Sequence, residues 1–188
     1  MILDWKEKKV LIFGIQGSGK THFARRLIAE YQNAFIYRVT GDFDNMSPQG
    51  QAPTIFKPTD KYLDLDLFLL TAKRLGERRK IDAVVLDELD LFTVETRLEQ
   101  GPLNEWVLMH RHNNCAFVGI SRRPQDIPSK IFESAHVIVT FALDAPAVAR
   151  KLRDLHADYE FLLPHLSIEK HNFIIKELGK PPVLCDSI

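Results

Sequence analysis

The apolar positions of this chain follow two periods. Val10–Phe13, Phe35–Val39, Ala83–Leu86, Cys115–Ile120 and Val137–Phe141 are short runs in which most successive residues are apolar. A strand covered on one face alternates apolar with polar, and a strand covered on both faces does not. These runs therefore predict an α/β fold with a mainly parallel central sheet flanked by helices on both faces. Elsewhere the apolar residues return every three or four positions. Phe23, Leu27, Ile28 and Tyr31 mark a helix after the first strand, with Arg25, Arg26 and Glu30 between them. Leu63–Arg79 predicts a helix with an apolar face and a basic end, Arg74 to Lys80, and Asn104–Arg111 and Ala145–His156 predict two more. Thr54–Lys57 and Asn172–Ile175 read as short strands, the second broken by Gly179-Lys180-Pro181-Pro182. Gly41–Pro58 and Thr93–Pro102 carry little regular signal. Irregular stretches of that kind are either functional or plain surface loops.

The junction of the first strand and first helix reads Gly14-Ile15-Gln16-Gly17-Ser18-Gly19-Lys20-Thr21. It fits G-x-x-x-x-G-K-[ST], in the strand–turn–helix setting that this motif needs. The backbone N–H groups of such a turn point inward and surround a polyphosphate with donors. The helix adds the positive end of its dipole. The predicted nucleotide-binding set is Gly14, Ile15, Gln16, Gly17, Ser18, Gly19, Lys20, Thr21 and His22. Lys20 is expected on the β- and γ-phosphates and Thr21 on Mg²⁺. The chain is thus expected to bind ATP with Mg²⁺, as a P-loop NTPase with a RecA-like core.

Length and composition narrow this little. The 188 residues suit one domain, with a motif-bearing core at about 8–145 and a C-terminal extension at about 146–188. Lysine plus arginine balances aspartate plus glutamate at 25 each, so any nucleic-acid contact must come from local basic patches. The apolar runs are too short for a bilayer, and Met1-Ile2-Leu3-Asp4-Trp5-Lys6 lacks a signal-peptide pattern. The expectation is a cytoplasmic protein without membrane insertion. Cys115 and Cys185 form neither a disulfide framework nor a zinc spacing, and Cys115 reads as a small buried hydrophobe.

A second set of residues completes the nucleotide site. Ala83-Val84-Val85-Leu86-Asp87-Glu88 is a buried-type strand ending in two acids. In an open α/β sheet that end faces the ligand. Asp87 is expected to hold Mg²⁺ through its water shell, and Glu88 to orient and deprotonate the attacking water. A base aimed at water favours an ATPase over a small-molecule kinase, which must exclude water. Asp90 reads as a cap for the helix or turn that follows.

The third motif is Arg111-His112-Asn113-Asn114, the strand Cys115–Ile120, then Ser121-Arg122-Arg123-Pro124. Here the chain resembles the HerA/FtsK family of DNA-translocating ATPases, which shows Gly-Arg-x-x-Gly before an apolar strand and Thr-Gln-Arg-Pro after it. Arg111 matches the first arginine, Ser121 the threonine, and Arg123-Pro124 the Arg-Pro. His110 and Asn114 stand where the family usually has glycine. Arg122 stands where it usually has glutamine, the sensor of the γ-phosphate. Arg122 then contacts phosphate as a charged donor, or DNA, or a neighbouring subunit.

The resemblance implies a homo-oligomeric ring, usually a hexamer, with nucleotide between subunits and an arginine reaching in from the neighbour. Arg111 is the matching finger, Arg78 and Arg79 compete with it, and the alternative for Arg111 is a helix C-terminal cap. With Lys20, Glu88 and Arg122, it makes up the expected catalytic set. A bare core of this length looks like the packaging ATPases of membrane-containing double-stranded DNA viruses. That implies non-sequence-specific duplex DNA as a partner, a capsid or portal protein as another, and host cytoplasm or virion as location. Lys73, Arg74, Arg78, Arg79, Lys80 and the loop from Arg122 to Lys130 are the candidate grips on the phosphate backbone. The rival readings are a Zot-like phage assembly or export ATPase, a nucleotide or small-molecule kinase, and a nucleotide-dependent loader or adaptor.

Overall fold

The computed structural model describes residues 5–43, 52–93, 101–109, 114–144 and 146–187. Their strands form one eight-stranded sheet. In chain order they are β1 (Lys9–Phe13), β2 (Ala34–Tyr37), β3 (Thr54–Phe56), β4 (Ala83–Leu86), β5 (Ala116–Ser121), β6 (Val137–Thr140), β7 (Phe173–Glu177) and β8 (Val183–Cys185). Across the sheet the order is β3-β2-β4-β5-β1-β6-β7-β8. β1 to β6 pair in parallel, while β7 and β8 pair antiparallel. The four central strands β4, β5, β1 and β6 are buried throughout, as their unbroken apolar runs require.

Two apolar layers cover the sheet. Val10 and Ile12 face one layer, with Phe23, Ala24, Leu27 and Ile28 of helix α1 (Lys20–Ala29). Leu11 and Phe13 face the other, with Leu65, Phe68, Leu69 and Ala72 of α2 (Leu63–Glu77) and Leu103, Trp106 and Val107 of α3 (Pro102–Met109). A ten-residue helix such as α1 is marginal alone. Burial of Phe23, Leu27 and Ile28, at about 1.5–3 kcal/mol per side chain, is what holds it in place. The Trp106 indole N–H donates to the Leu69 carbonyl at 2.9 Å, so the buried ring joins α3 to α2 without an orphaned donor. Three further helices follow: α4 (Ser129–Glu133), α5 (Pro146–Leu155) and α6 (Tyr159–Leu162).

The predicted elements are present with shifted ends. α3 starts at Pro102 rather than Asn104, because a proline costs nothing in a first turn whose N–H has no partner. The sequence reading breaks the chain after Asn172–Ile175, yet the strand runs on to Glu177 and returns as β8. Gly179 at φ 77 and the Lys180 N–H donating to the Glu177 carbonyl at 3.1 Å make that reversal a hairpin turn. Cys115 is fully buried, and burial pushes its thiol up to about 12. Among the described residues no helix is long and apolar enough to cross a membrane.

Candidate nucleotide site

β1, β4, β5 and β6 all end at one edge of the sheet, and the three sequence motifs leave from those ends. The turn after β1 enters α1 through Gly19, which has φ 99, a left-handed conformation that favours glycine. Gly14 is needed for clearance, since a Cβ there would lie 2.6 Å from Ser18 Oγ and 2.7 Å from Phe141 Cβ. α1 begins with no capping side chain and no acid in its first turn. Its positive dipole end is thus not offset by an acid of its own first turn, which favours an anion there.

This edge bounds a cleft of about 670 Å³. Of the predicted set, Ile15, Gln16, Gly17, Gly19, Lys20, Thr21 and His22 line it, while Gly14 and Ser18 lie buried behind. Lys20 is only 7% exposed, and its charge is felt at Glu88.

The two acids sit one layer back from the cleft wall, each behind a residue that lines it. Asp87 Oδ2 accepts from the Thr40 N–H at 3.0 Å and from the Thr40 hydroxyl at 2.6 Å. Glu88 Oε1 accepts from Arg122 Nε and Nη2, both at 3.0 Å. Thr40 and Arg122 both line the cleft. Burial raises the Glu88 carboxyl above its ordinary pKa. Arg122 opposes that rise, Asp87 and Asp90 add to it, and Lys20 opposes it. Glu88 also has φ 55, a left-handed backbone that costs a non-glycine residue on the order of 1–3 kcal/mol. That turn swings the chain from β4 into the 3₁₀ turn Leu89–Phe92.

The structure departs from the sequence reading at several residues. Asp90 lies inside the 3₁₀ turn and does not cap it, because Glu88 holds the leading position. One oxygen of Asp90, Oδ1, is buried with no hydrogen-bond partner. Lys73 is paired with Glu105 of α3 at 2.6 Å, so it braces two helices. Arg78 and Arg79 follow α2 and precede β4, at the sheet edge opposite the cleft. Arg79 lines a smaller hollow there with Asp82 and Asn114. Arg111 lies outside the described residues.

Thr40, Gly119, Phe141 and His171 are parts of this edge that the sequence reading missed. Thr40 reaches Asp87 because β2 is the sheet neighbour of β4, with Tyr37 beside Leu86. Gly119 lets Leu89 pack over β5, since a Cβ would lie 2.5 Å from Leu89 Cδ2 and 3.2 Å from Leu11 Cδ2. Gly119→Ala is expected to lower stability by about 1–3 kcal/mol through overpacking beneath the acid-bearing turn. A denaturation midpoint equal to wild type would remove that packing role.

No family model matches the sequence, and no curated relative matches it. Solved structures do. B204, the DNA-packaging ATPase from Sulfolobus Turreted Icosahedral Virus, superposes with a TM-score of 0.81 at 12% identity, over 98% of this chain and 100% of that one. The fold is that of a P-loop ATPase. The genome packaging NTPase B204 from Sulfolobus turreted icosahedral virus 2, in complex with AMPPCP, matches at TM-score 0.76 and 13% identity, over 99% and 100% of the two chains. The pCW3 conjugation coupling protein TcpA, with ATPγS, matches at TM-score 0.66 and 15% identity, over 97% of this chain and 60% of that one. The P-loop ATPase core expected from the sequence is therefore present. Both B204 chains are matched across their whole length.

Proposed function

We propose that this chain is an ATP-hydrolysing motor subunit that moves double-stranded DNA, of the genome-packaging kind. One observation carries the reading. The glycine-rich turn, the acid pair and the Ser121–Pro124 loop, far apart in sequence, leave adjacent strand ends around one cleft. The full-length likeness to the B204 ATPases supports the packaging sense of that chemistry.

In this reading the turn from Gly14 to Gly19 and the first turn of α1 hold the phosphates. Lys20 neutralises the terminal pair. Thr21 and Asp87 would hold Mg²⁺, which would supply charge neutralisation to the phosphates. The residues present suit that ion: Thr21 lines the cleft with a hydroxyl, and the Asp87 carboxylate stands behind Thr40 on its wall, both hard oxygen donors. Mg²⁺ is usually held by one or two protein oxygens together with phosphates and water. Glu88 is the base. Arg122 screens it in the present arrangement, and a terminal phosphate in the cleft competes for the same guanidinium. Transfer of Arg122 from carboxylate to phosphate exposes Glu88 to water at the moment a substrate is present. Arg111 is the residue proposed to reach a neighbouring subunit in a ring.

For DNA, Arg74, Arg78, Arg79, Lys80, Arg123 and Lys130 remain exposed cations. Turnover is expected to rise with duplex DNA of any sequence. That stimulation should fall steeply as salt rises, since backbone contacts release counterions. Turnover indifferent to DNA, with phosphate passed to a small acceptor instead of water, would replace the motor by a kinase.

A further inference from the structure

The C-terminal segment closes the cleft on the side away from the acids. Glu88 leaves β4 and Arg122 leaves β5. The phosphate turn leaves β1 and Phe141 leaves β6. Along the sheet these strands run β4-β5-β1-β6-β7. β7 is antiparallel to β6, with Ile174 beside Thr140. Its start, not its end, therefore lies at the cleft edge, and His171 stands just before it. Glu88 is two strands from the phosphate turn on one side, and His171 is two strands from it on the other.

His171 is held in place. Asn172, buried beside it, donates from Nδ2 to the His165 carbonyl at 2.8 Å and accepts at Oδ1 from the Ser167 N–H at 2.9 Å. The His171 N–H donates to the Ile168 carbonyl at 3.4 Å. This fixed loop presses His171 against the phosphate turn. A Cβ on Gly19 would lie 3.3 Å from His171 Cβ, 3.4 Å from its Nδ1 and 3.4 Å from Phe141 Cε1. His22, Phe141, His171 and Ser187 all line the cleft.

We propose that His171 is a wall of a nucleobase subsite that takes the purine of the bound nucleoside triphosphate by stacking. The inference rests on the reading of the cleft as a triphosphate site. The reacting phosphate must point toward Glu88 and Arg122. The base is the opposite end of the same molecule, so it extends toward β6 and β7. The imidazole offers a flat face there, and stacking on an aromatic face tolerates any base. The subsite therefore grips adenine and guanine alike, and the phosphates supply the rest of the affinity.

The test measures equilibrium binding of ATP, GTP and inorganic tripolyphosphate to the full chain, as wild type, His171→Ala and His171→Phe. Stacking predicts that His171→Ala weakens ATP and GTP about ten-fold, that His171→Phe restores both, and that tripolyphosphate binds all three proteins equally. Parallel loss of ATP and tripolyphosphate in His171→Ala would make His171 a prop for the phosphate turn and overturn the subsite. Unchanged ATP binding in His171→Ala would overturn it too. A wild-type chain that binds neither ATP nor tripolyphosphate would instead remove the triphosphate reading on which the subsite stands.

Discussion

Glu88→Gln is expected to keep ATP bound while turnover falls by about 10²–10⁴-fold, the range that a positioned general base supplies. The amide keeps the size of the carboxylate and cannot take a proton from water. The partner of Glu88 sharpens the expectation. Arg122 holds the carboxylate through two contacts of 3.0 Å, and the amide removes the charge that keeps it there. Arg122 is then freer for phosphate, so ATP affinity should equal or exceed that of wild type. The pair is partly exposed, with Arg122 46% accessible, so its loss should move stability by no more than about 1 kcal/mol. Nucleotide binding, single-turnover hydrolysis and a melting curve check the three statements. Wild-type turnover in this variant would take the role of base from Glu88.

Lys20→Ala should have an effect of similar size at a different step. A buried ammonium aimed at phosphate makes charge-assisted contacts worth about 1.5–3 kcal/mol, so its removal should weaken ATP binding up to about 100-fold. Turnover falls further, because the charge that builds on the transferring group loses its nearest cation. The variant also tests the proposed ring. Arg111→Ala subunits should bind ATP but not hydrolyse it. Mixed with Lys20→Ala subunits, they should recover part of the turnover, because an intact arginine then faces an intact pocket across some interfaces. Failure to recover at any ratio would place Arg111 within its own subunit.

The elements of this protein were legible because their signals are local. Val10–Phe13, Gly14–Thr21 and Phe23–Tyr31 announce strand, turn and helix through neighbours in the chain, and the structure keeps them within three residues. The acid pair was legible for the same reason, since an apolar run ending in Asp87-Glu88 carries its own context. Asp90 was misjudged because a cap depends on backbone angles. The positive φ of Glu88 is set by how β4 must turn beneath Leu89. Lys73 reads as a candidate grip for DNA because the partner that engages it, Glu105, is on another helix. β8 was missed because Pro181-Pro182 looks like an ending. A short edge strand can follow prolines without loss, since it needs only one neighbour.

Local patterns along the chain specify strands and helices in alternation, with a phosphate-type turn and an acid-ended strand. Those properties follow from the size, polarity and spacing of residues close along the chain. What stands beside what comes from the packed fold. It placed β5 between β4 and β1, set Thr40 against Asp87 and Arg122 against Glu88, and reversed β7 so that His171 meets Gly19. Such pairings join residues tens of positions apart. They are fixed by the order in which buried strands share hydrogen bonds, which no local pattern records.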